Sequence, residues 1–98
     1  MTLELQQEQD EVSWGETVRF SCQARGKPAP AVVWLHNARP LAPSPRHRVT
    51  ARALRVLNVG PQDQGLYQCM AENGVGSAQA SARLVTVPTG ECPQEPIE

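Results

Sequence analysis

Apolar and polar residues alternate along much of this chain with the two-residue period of β-strands. The clearest example is residues 17–24, one face of which carries Val18, Phe20, Cys22 and Ala24. Because successive side chains of a strand point to opposite sides, this alternation predicts a strand with one buried face. Similar patterns predict further strands at residues 2–7, 31–36, 46–51, 53–59, 66–72 and 77–87. Since no helix-length periodicity occurs, the chain is predicted to be all-β.

Turn-forming residues separate the predicted strands. Residues 25–30 are predicted to form a loop, because Pro28 and Pro30 lack the N–H group that a β-ladder needs. Asn73-Gly74 precedes the last strand and is typical of a hairpin turn, since both residues readily adopt positive φ. Further turns are predicted at residues 13–16, 37–40 and 60–63, and residues 6–11 are predicted to carry the chain from one sheet to a second.

The sequence divides into one domain, residues 1–87, and a tail, residues 88–98. Its 98 residues are the usual size of a single domain. From Pro88 onward the tail is rich in proline and glutamate, has little to bury, and is predicted to be an extended linker. Met1 leads directly into a polar strand, without a signal peptide or a membrane span, so the sequence is expected to be an excised domain.

The net charge of −1 is distributed unevenly. Acidic residues crowd the start of the chain: Glu4, Glu8, Asp10, Glu11 and Glu16. Most of the arginines and both histidines lie in the middle: His36, Arg39, Arg46, His47, Arg48, Arg52 and Arg55. A domain so close to neutrality is not attracted as a whole to nucleic acid or to a membrane surface. Neither kind of partner is therefore expected.

Seven widely spaced residues form a pattern that runs through the predicted strands: Cys22, Trp34, Leu54, Asp63, Gly65, Tyr67 and Cys69. Together with G-x-P-x-P at residues 26–30 and A-E-N-x-x-G at residues 71–76, this pattern resembles the I-set domains of the immunoglobulin superfamily. The variety it resembles is that of neural cell-adhesion and guidance receptors. The resemblance covers residues 3–87 and implies an immunoglobulin-like β-sandwich, with two antiparallel sheets and Greek-key connections.

The proline-rich tail is similar to the linkers that join an immunoglobulin domain to a fibronectin type III repeat. That feature fits receptors of the DCC/neogenin subclass, which carry several immunoglobulin domains followed by fibronectin repeats. Two residues depart from the family pattern. Trp14 stands where the family usually has a small or acidic residue, and Cys92 is an extra cysteine near the C-terminus.

The resemblance implies a disulfide between Cys22 and Cys69, shielded by Trp34. Closing this loop would stabilise the fold by about 4 kcal/mol in the chain-entropy model. The third cysteine, Cys92, is left over. Any partner of Cys92 is expected to lie outside this chain.

The resemblance also implies a structured corner before the last cysteine. The Tyr67 hydroxyl is expected to bond the backbone near Asp63, as in a tyrosine corner, with Gly65 between them. In family members the aspartate at this position pairs with an arginine at the start of the nearby short strand. Arg46 and Arg48 are both candidates for that structural role.

Residues suited to catalysis or metal binding are scarce. His36 and His47 are the only histidines, neither has a Ser or Cys in a recognisable nucleophile setting, and both are expected to be solvated. Metal sites need clustered His, Cys or carboxylate ligands, and Cys22 and Cys69 are better explained by the implied disulfide. No catalytic residue, metal or cofactor is therefore expected.

Five basic residues on two adjacent predicted strands are the main candidates for binding: Arg46, His47, Arg48, Arg52 and Arg55. If several of them share one face, their guanidinium groups could hold heparan sulfate or an acidic partner. The alternative is a solvated basic face that offsets the negative charge of the acidic first strand, with one arginine paired with Asp63.

Trp14 is the second candidate for binding. It lies in a predicted turn, where its indole should be partly exposed, and exposed tryptophans are enriched at interfaces. Alternatively, Trp14 packs over the end of the sandwich or against a neighbouring domain.

The family resemblance implies a non-enzymatic extracellular module of a cell-surface adhesion or guidance receptor whose parent chain is anchored in the membrane. Its partners would be other proteins or the neighbouring immunoglobulin and fibronectin type III domains. Two alternatives remain. One is an intracellular structural module, as in the giant sarcomeric scaffold proteins, and the other is a heparan sulfate-binding module. Recognition on this fold depends on surface patches and loops, which the fold itself does not specify.

Overall fold

A computed structural model of the chain describes residues 2–88. Nine β-strands make up nearly all of its regular structure. They are β1 (Thr2–Gln7), β2 (Glu11–Ser13), β3 (Val18–Arg25), β4 (Ala31–His36), β5 (Arg39–Pro40), β6 (His47–Val49), β7 (Ala53–Val56), β8 (Gly65–Glu72) and β9 (Ser77–Val87). A short 3-10 helix, Pro61–Asp63, precedes β8. The all-β prediction is confirmed.

The strands form two sheets. The four-stranded sheet has the order β1-β3-β7-β6, and the five-stranded sheet has the order β2-β9-β8-β4-β5. Because β1 and β2 are consecutive but belong to different sheets, residues 8–10 cross between the sheets, as predicted. The exception to antiparallel pairing is β2, which lies parallel to β9 because the chain crosses without turning back.

The segment predicted as a four-residue turn at 37–40 is shorter than expected. Arg39 and Pro40 pair with β4 as the strand β5, so the turn consists only of Asn37-Ala38. Both turn residues have positive φ, 51° and 70° respectively. Positive φ at both central residues is the geometry that matches the twist of two neighbouring strands. Asn tolerates this conformation, whereas the Cβ of Ala38 makes it unfavourable.

β6 and β7 are also shorter than predicted. The Leu57 N–H still donates to the Arg46 carbonyl at 2.8 Å, but Asn58 has a φ of 52° and ends the strand. Val59 remains buried beyond this break. The apolar alternation therefore predicted the burial of Leu54 and Val56 correctly, whereas the left-handed residue Asn58 ends the strand and leaves Val59 in the core.

Side chains from the inner faces of both sheets form one core: Val12, Val18, Phe20, Cys22, Trp34, Leu54, Val56, Val59, Tyr67, Cys69 and Leu84. The Phe20 ring stacks on the Tyr67 ring with a centroid distance of 4.7 Å, and the Trp34 ring lies 6.4 Å from Phe20. Aromatic pairs of this kind contribute roughly 0.5–1.5 kcal/mol beyond the area they bury. The inward faces predicted for β3, β4 and β8 are those observed.

Residues 89–98, including Cys92, lie outside the described residues. The extended linker, the domain boundary at residue 87 and the partner of Cys92 therefore stay predictions. Among residues 2–88, no helix is long and apolar enough to cross a membrane.

Candidate functional site

The two buried cysteines and Trp34 form the centre of the sandwich. Cys22 on β3 and Cys69 on β8 are joined by a disulfide that bridges the two sheets, with a Cα–Cα distance of 6.5 Å. Trp34 is buried opposite Cys69 in the β4–β8 register, and its Nε1 donates to the Thr50 carbonyl at 2.9 Å. These side chains are therefore committed to joining the sheets and are unavailable to a partner.

Tyr67 forms a tyrosine corner. Its hydroxyl donates to the Asp63 carbonyl at 2.7 Å. Burial, with the nearby Asp63 carboxylate as a smaller cause, raises the pKa of Tyr67 well above its ordinary value. The hydroxyl consequently stays protonated and acts as a hydrogen-bond donor to the backbone.

Asp63 pairs with Arg46 and not with Arg48. The Asp63 residue is only 3% exposed, and its carboxylate accepts from Nη2 of Arg46 and, at 2.9 Å, from the Gly60 N–H. Arg46 also donates from Nε to the Leu57 carbonyl at 3.2 Å. Arg48 lies two residues further along, within β6, and is exposed. The structural role predicted for Arg48 is therefore corrected to Arg46, which stands nearer to the corner.

Gly65, the first residue of β8, has a backbone conformation that residues with a side chain rarely adopt. Its φ is 137°, and a Cβ at this position would lie 2.7 Å from Nδ2 of Asn37. The Asn37 Oδ1 accepts a hydrogen bond from the Leu66 N–H at 2.9 Å. The absence of a side chain at Gly65 thus leaves room for a contact between the β4–β5 turn and β8.

The expectation that both histidines are solvated is wrong, since both are partly buried. The His36 ring stacks on the Tyr67 ring with a centroid distance of 4.3 Å and an interplanar angle of 8°, and its Nε2 lies 3.1 Å from the Gln64 carbonyl. Partial burial, followed by the positive charge of Arg46, lowers the pKa of His47. Within residues 2–88, no group of three or more His, Cys, Asp and Glu side chains is placed to hold a metal.

Of the five basic residues predicted as binding candidates, not all share one face. Arg46 is engaged in the ion pair, His47 is half-buried, and Arg52 lies in the turn between β6 and β7. Arg48 and Arg55 stay together. They are exposed and lie directly opposite each other in the β6–β7 register.

Arg19 joins these two arginines. It is exposed on β3 and lies opposite Arg55 in the β3–β7 register. Arg19, Arg55 and Arg48 therefore form a line across three neighbouring strands, named here the arginine row. Within residues 2–88 the one ion pair is that of Arg46 with Asp63, so none of the three arginines of the row forms an ion pair in this part of the chain.

Arg19 is not among the predicted binding residues, because it is distant from the other arginines of the row along the chain. Its position between Val18 and Phe20, which are buried, is the pattern that places it on the outward face of β3. That pattern identifies the face of β3 on which Arg19 lies, but not the residue beside it on the neighbouring strand. The β3–β7 register is needed to bring Arg19 beside Arg55.

The outward face of the five-stranded sheet has a different chemistry. Val33 on β4 lies opposite Met70 on β8, and these residues are 49% and 40% exposed. The surface around this pair, named here the uncharged face, comprises Val33, Leu35, Gln68, Met70, Gln79 and Ser81. This surface is not among the predicted binding candidates either. The pattern that could have revealed it is the apolar run at residues 31–35, in which outward positions are apolar along with inward ones.

Trp14 lies at the end of the sandwich where β9 finishes. Its N–H donates to the Val87 carbonyl at 2.8 Å, and the Gly15 N–H donates to the Val59 carbonyl at 2.7 Å. The side chain is half-buried, and its Nε1 has no hydrogen-bond partner within the described range. This position agrees with packing over the end of the sandwich, and a contact with a neighbouring domain stays a prediction.

Solved structures with the same fold include domains of titin and of a receptor protein tyrosine phosphatase. The titin M4 domain superposes with a TM-score of 0.78 at 27% identity, covering 88% of this chain and 94% of that one. The N-terminal Ig1-2 module of the Drosophila receptor protein tyrosine phosphatase DLAR superposes with a TM-score of 0.77 at 29% identity, covering 95% of this chain and 53% of that one. Fold similarity therefore does not separate the intracellular alternative from the receptor interpretation.

Sequence relatives are considerably closer. Brother of CDO from Homo sapiens is 55% identical over 75 residues, which are 76% of this chain and 7% of that protein. Cell adhesion molecule-related/down-regulated by oncogenes from Mus musculus is 48% identical over 73 residues, 74% of this chain and 6% of that protein. Contactin-2 from Homo sapiens is 46% identical over 74 residues, 76% of this chain and 7% of that protein. The chain thus spans only 6–7% of the length of these curated relatives.

The family assignment rests on the match between these residues and a domain model. The model of the Immunoglobulin I-set domain matches residues 2–86. The disulfide, its shielding tryptophan and the tyrosine corner lie where the resemblance implies them. This chain belongs to the immunoglobulin I-set family.

Proposed function

We propose that this chain is a non-enzymatic extracellular module of a membrane-anchored adhesion or guidance receptor, and that it contacts other proteins. The observation that carries the proposal is the 46–55% identity to the curated relatives, one of which is named a cell adhesion molecule-related protein. Identity to the titin M4 domain is 27%, which gives the intracellular structural alternative less support.

The buried disulfide supports an extracellular location. Disulfides persist in oxidising compartments such as the cell surface, whereas cytosolic thiols are kept reduced. The bond between Cys22 and Cys69 closes a loop with a sequence separation of 47. A loop of that length gives an appreciable stabilisation, about 4 kcal/mol in the chain-entropy model. A module that relies on this bond is best suited to the outside of the cell.

The uncharged face is the surface that best fits a protein partner. The centres of protein interfaces are depleted in charge and enriched in methionine and aromatic residues. The exposed Val33–Met70 pair would supply an apolar centre, and the neighbouring glutamines would supply hydrogen-bonding groups. Glu72 and Arg83 follow at opposite ends of this face. The partner would therefore present an apolar patch flanked by a basic group facing Glu72 and an acidic group facing Arg83.

The test places charge at the centre of this face. Beads displaying the domain are incubated with cells that are untreated, protease-treated or heparinase-treated. Wild-type beads should bind untreated and heparinase-treated cells and lose binding after proteolysis. On heparinase-treated cells, the double variant Val33→Glu/Met70→Glu should lose binding by roughly tenfold or more, because docking would bury unpaired carboxylates. The matched control is Val75→Glu, at an 81% exposed valine in the turn between β8 and β9, which should bind as the wild type does.

Three outcomes would contradict the proposal. Binding that survives proteolysis would exclude a protein partner, and an equal loss with Val75→Glu would exclude the uncharged face. Full binding of the double variant to heparinase-treated cells would exclude it as well, provided that near-ultraviolet circular dichroism shows an intact fold. Clumping of the beads with one another would support the proposal and identify the partner as a second copy of this chain.

A further inference from the structure

We propose that the arginine row binds a linear sulfated polysaccharide of the heparan sulfate type, which lies across the strands of the four-stranded sheet. This site is distinct from the protein contact proposed above. The two surfaces lie on opposite sheets of the sandwich, and neither requires the other.

Register places three guanidinium groups within reach of one extended ligand. Arg19 faces Arg55 across β3 and β7, and Arg55 faces Arg48 across β7 and β6. Neighbouring strands are about 4.8 Å apart, so the row spans roughly 10 Å. Each of the three is an exposed residue on the outward side of its strand. Their side chains therefore leave the sheet in the same direction and can contact successive acidic groups of a single chain.

Folding does not account for this arrangement. Like charges directly opposite each other on neighbouring strands destabilise a sheet. Arg46 shows how this protein uses a structural arginine, since it contacts the Asp63 carboxylate and the Leu57 carbonyl. Within residues 2–88 the arginine row has no such ion pair. The backbone of Arg19 accepts from the Glu8 N–H at 3.1 Å, which places one carboxylate residue at the end of the row.

The surroundings of the row favour a sulfated polysaccharide over an acidic protein. On one side of the row the next positions along the strands are Ser21 on β3 and Ala53 on β7, which are themselves opposite in register. On the other side Leu57 follows Arg55 and is partly buried. Small or partly buried side chains there provide no apolar anchor of the kind that protein interfaces use. Guanidinium groups form paired, charge-assisted hydrogen bonds with planar or tetrahedral oxyanions. A flat surface with charges in a line suits a ligand that carries anions at intervals along an extended chain.

The test compares two variants with the same change in net charge. Arg19→Gln/Arg55→Gln removes two members of the row, whereas Arg39→Gln/Arg83→Gln removes two exposed arginines from the five-stranded sheet. Affinity for immobilised heparin is measured over a range of salt concentrations. The row variant should bind roughly tenfold more weakly or worse, because each lost charge-assisted contact is worth a tenfold factor or more. The control variant should stay within about twofold of the wild type, since its arginines do not face the ligand.

A second measurement separates binding from a structural role. Arg55 is the middle member of the row, so Arg55→Gln should raise the thermal midpoint at low salt, or leave it unchanged, by relieving repulsion on both sides. Equal losses by the row and control variants would show a non-specific charge effect and overturn the proposal. So would full heparin binding by the row variant, a lowered midpoint for Arg55→Gln, or displacement of wild-type protein by polyglutamate as readily as by heparin.

Discussion

The two outward faces of this sandwich differ much more than its two inward faces. Both sheets contribute buried apolar side chains to one core, in which Phe20 of the four-stranded sheet stacks on Tyr67 of the five-stranded sheet. Outside, the five-stranded sheet exposes the Val33–Met70 pair among uncharged residues, whereas the four-stranded sheet exposes the arginine row. The need for a common core constrains one side of every strand and leaves the other free. Recognition can therefore vary on this fold without disturbing its interior.

Two arginines at the edge of the four-stranded sheet also differ in role. Arg46 and Arg48 are two residues apart, yet Arg46 contacts the 3% exposed Asp63 while Arg48 belongs to the solvated arginine row. The position of Arg46 is explained by its ion pair with Asp63, which stabilises the corner before β8. Arg48 has no such structural explanation within the described residues, and this contrast is what makes the row a candidate for binding.

The largest effect should come from removing the disulfide in the core that both sheets share. In a Cys92→Ser background, Cys22→Ala/Cys69→Ala should lower the free energy of unfolding by about 4 kcal/mol, a large part of the total for a small domain. Urea unfolding followed by tryptophan fluorescence measures the change. Binding through both faces should weaken together, because each depends on the same core. A fall of less than about 1 kcal/mol would show that the disulfide is dispensable.

The second-largest effect is a difference in stability between alanine substitutions at two arginines that are two residues apart. Arg46→Ala should destabilise the domain by about 2 kcal/mol, because it leaves the buried Asp63 carboxylate without its ion pair. The value is set below that of a fully buried pair, since the Arg46 side chain is 34% exposed. Arg48→Ala should change stability by no more than about 0.5 kcal/mol. Equal effects in chemical denaturation would contradict the distinction between a structural arginine and a binding arginine.

A smaller effect concerns the corner at the inner side of the five-stranded sheet. Because the pKa of Tyr67 is raised in the folded state, the unfolded chain ionises first as pH rises. Stability should therefore be fully retained below about pH 10, the ordinary tyrosine pKa, and should fall above it. Tyr67→Phe should remove this decline and reduce stability at neutral pH by about 1 kcal/mol through the lost hydrogen bond to Asp63.

Direct spectroscopy offers an independent check of this prediction. Tyr67 is the chain's one tyrosine, so tyrosinate absorbance reports on it alone. The absorbance should appear at higher pH in the folded protein than in urea. Coincident titrations in the two states would contradict the raised pKa.

The smallest effect lies at the edge of the five-stranded sheet. Ala38 has a φ of 70° in the turn between β4 and β5, which glycine adopts without steric penalty. Ala38→Gly should stabilise the domain by about 0.5 kcal/mol and leave the arginine row unaffected. Gly74→Ala, at a φ of 83° in the turn between β8 and β9, is the converse control and should destabilise. Thermal denaturation should show a raised midpoint for Ala38→Gly and a lowered midpoint for Gly74→Ala.

The sequence by itself determined the inward face of the main strands and the family that the chain resembles. Alternation placed Val18, Phe20 and Cys22 on one face of β3, because the two-residue period of a strand is a local property. The family resemblance, to which Trp34, Tyr67 and the two cysteines contribute, implied the disulfide and the tyrosine corner, and the structure contains both.

Only the tertiary structure decided which distant residues become neighbours. It selected Arg46 over Arg48 for Asp63, paired Arg39 and Pro40 with β4, and stacked His36 on Tyr67. It also brought Arg19 beside Arg55, and it exposed Val33 opposite Met70. The physical reason is register. Alternation fixes the face of each strand, but the residue that lies opposite depends on how strands far apart in the chain align.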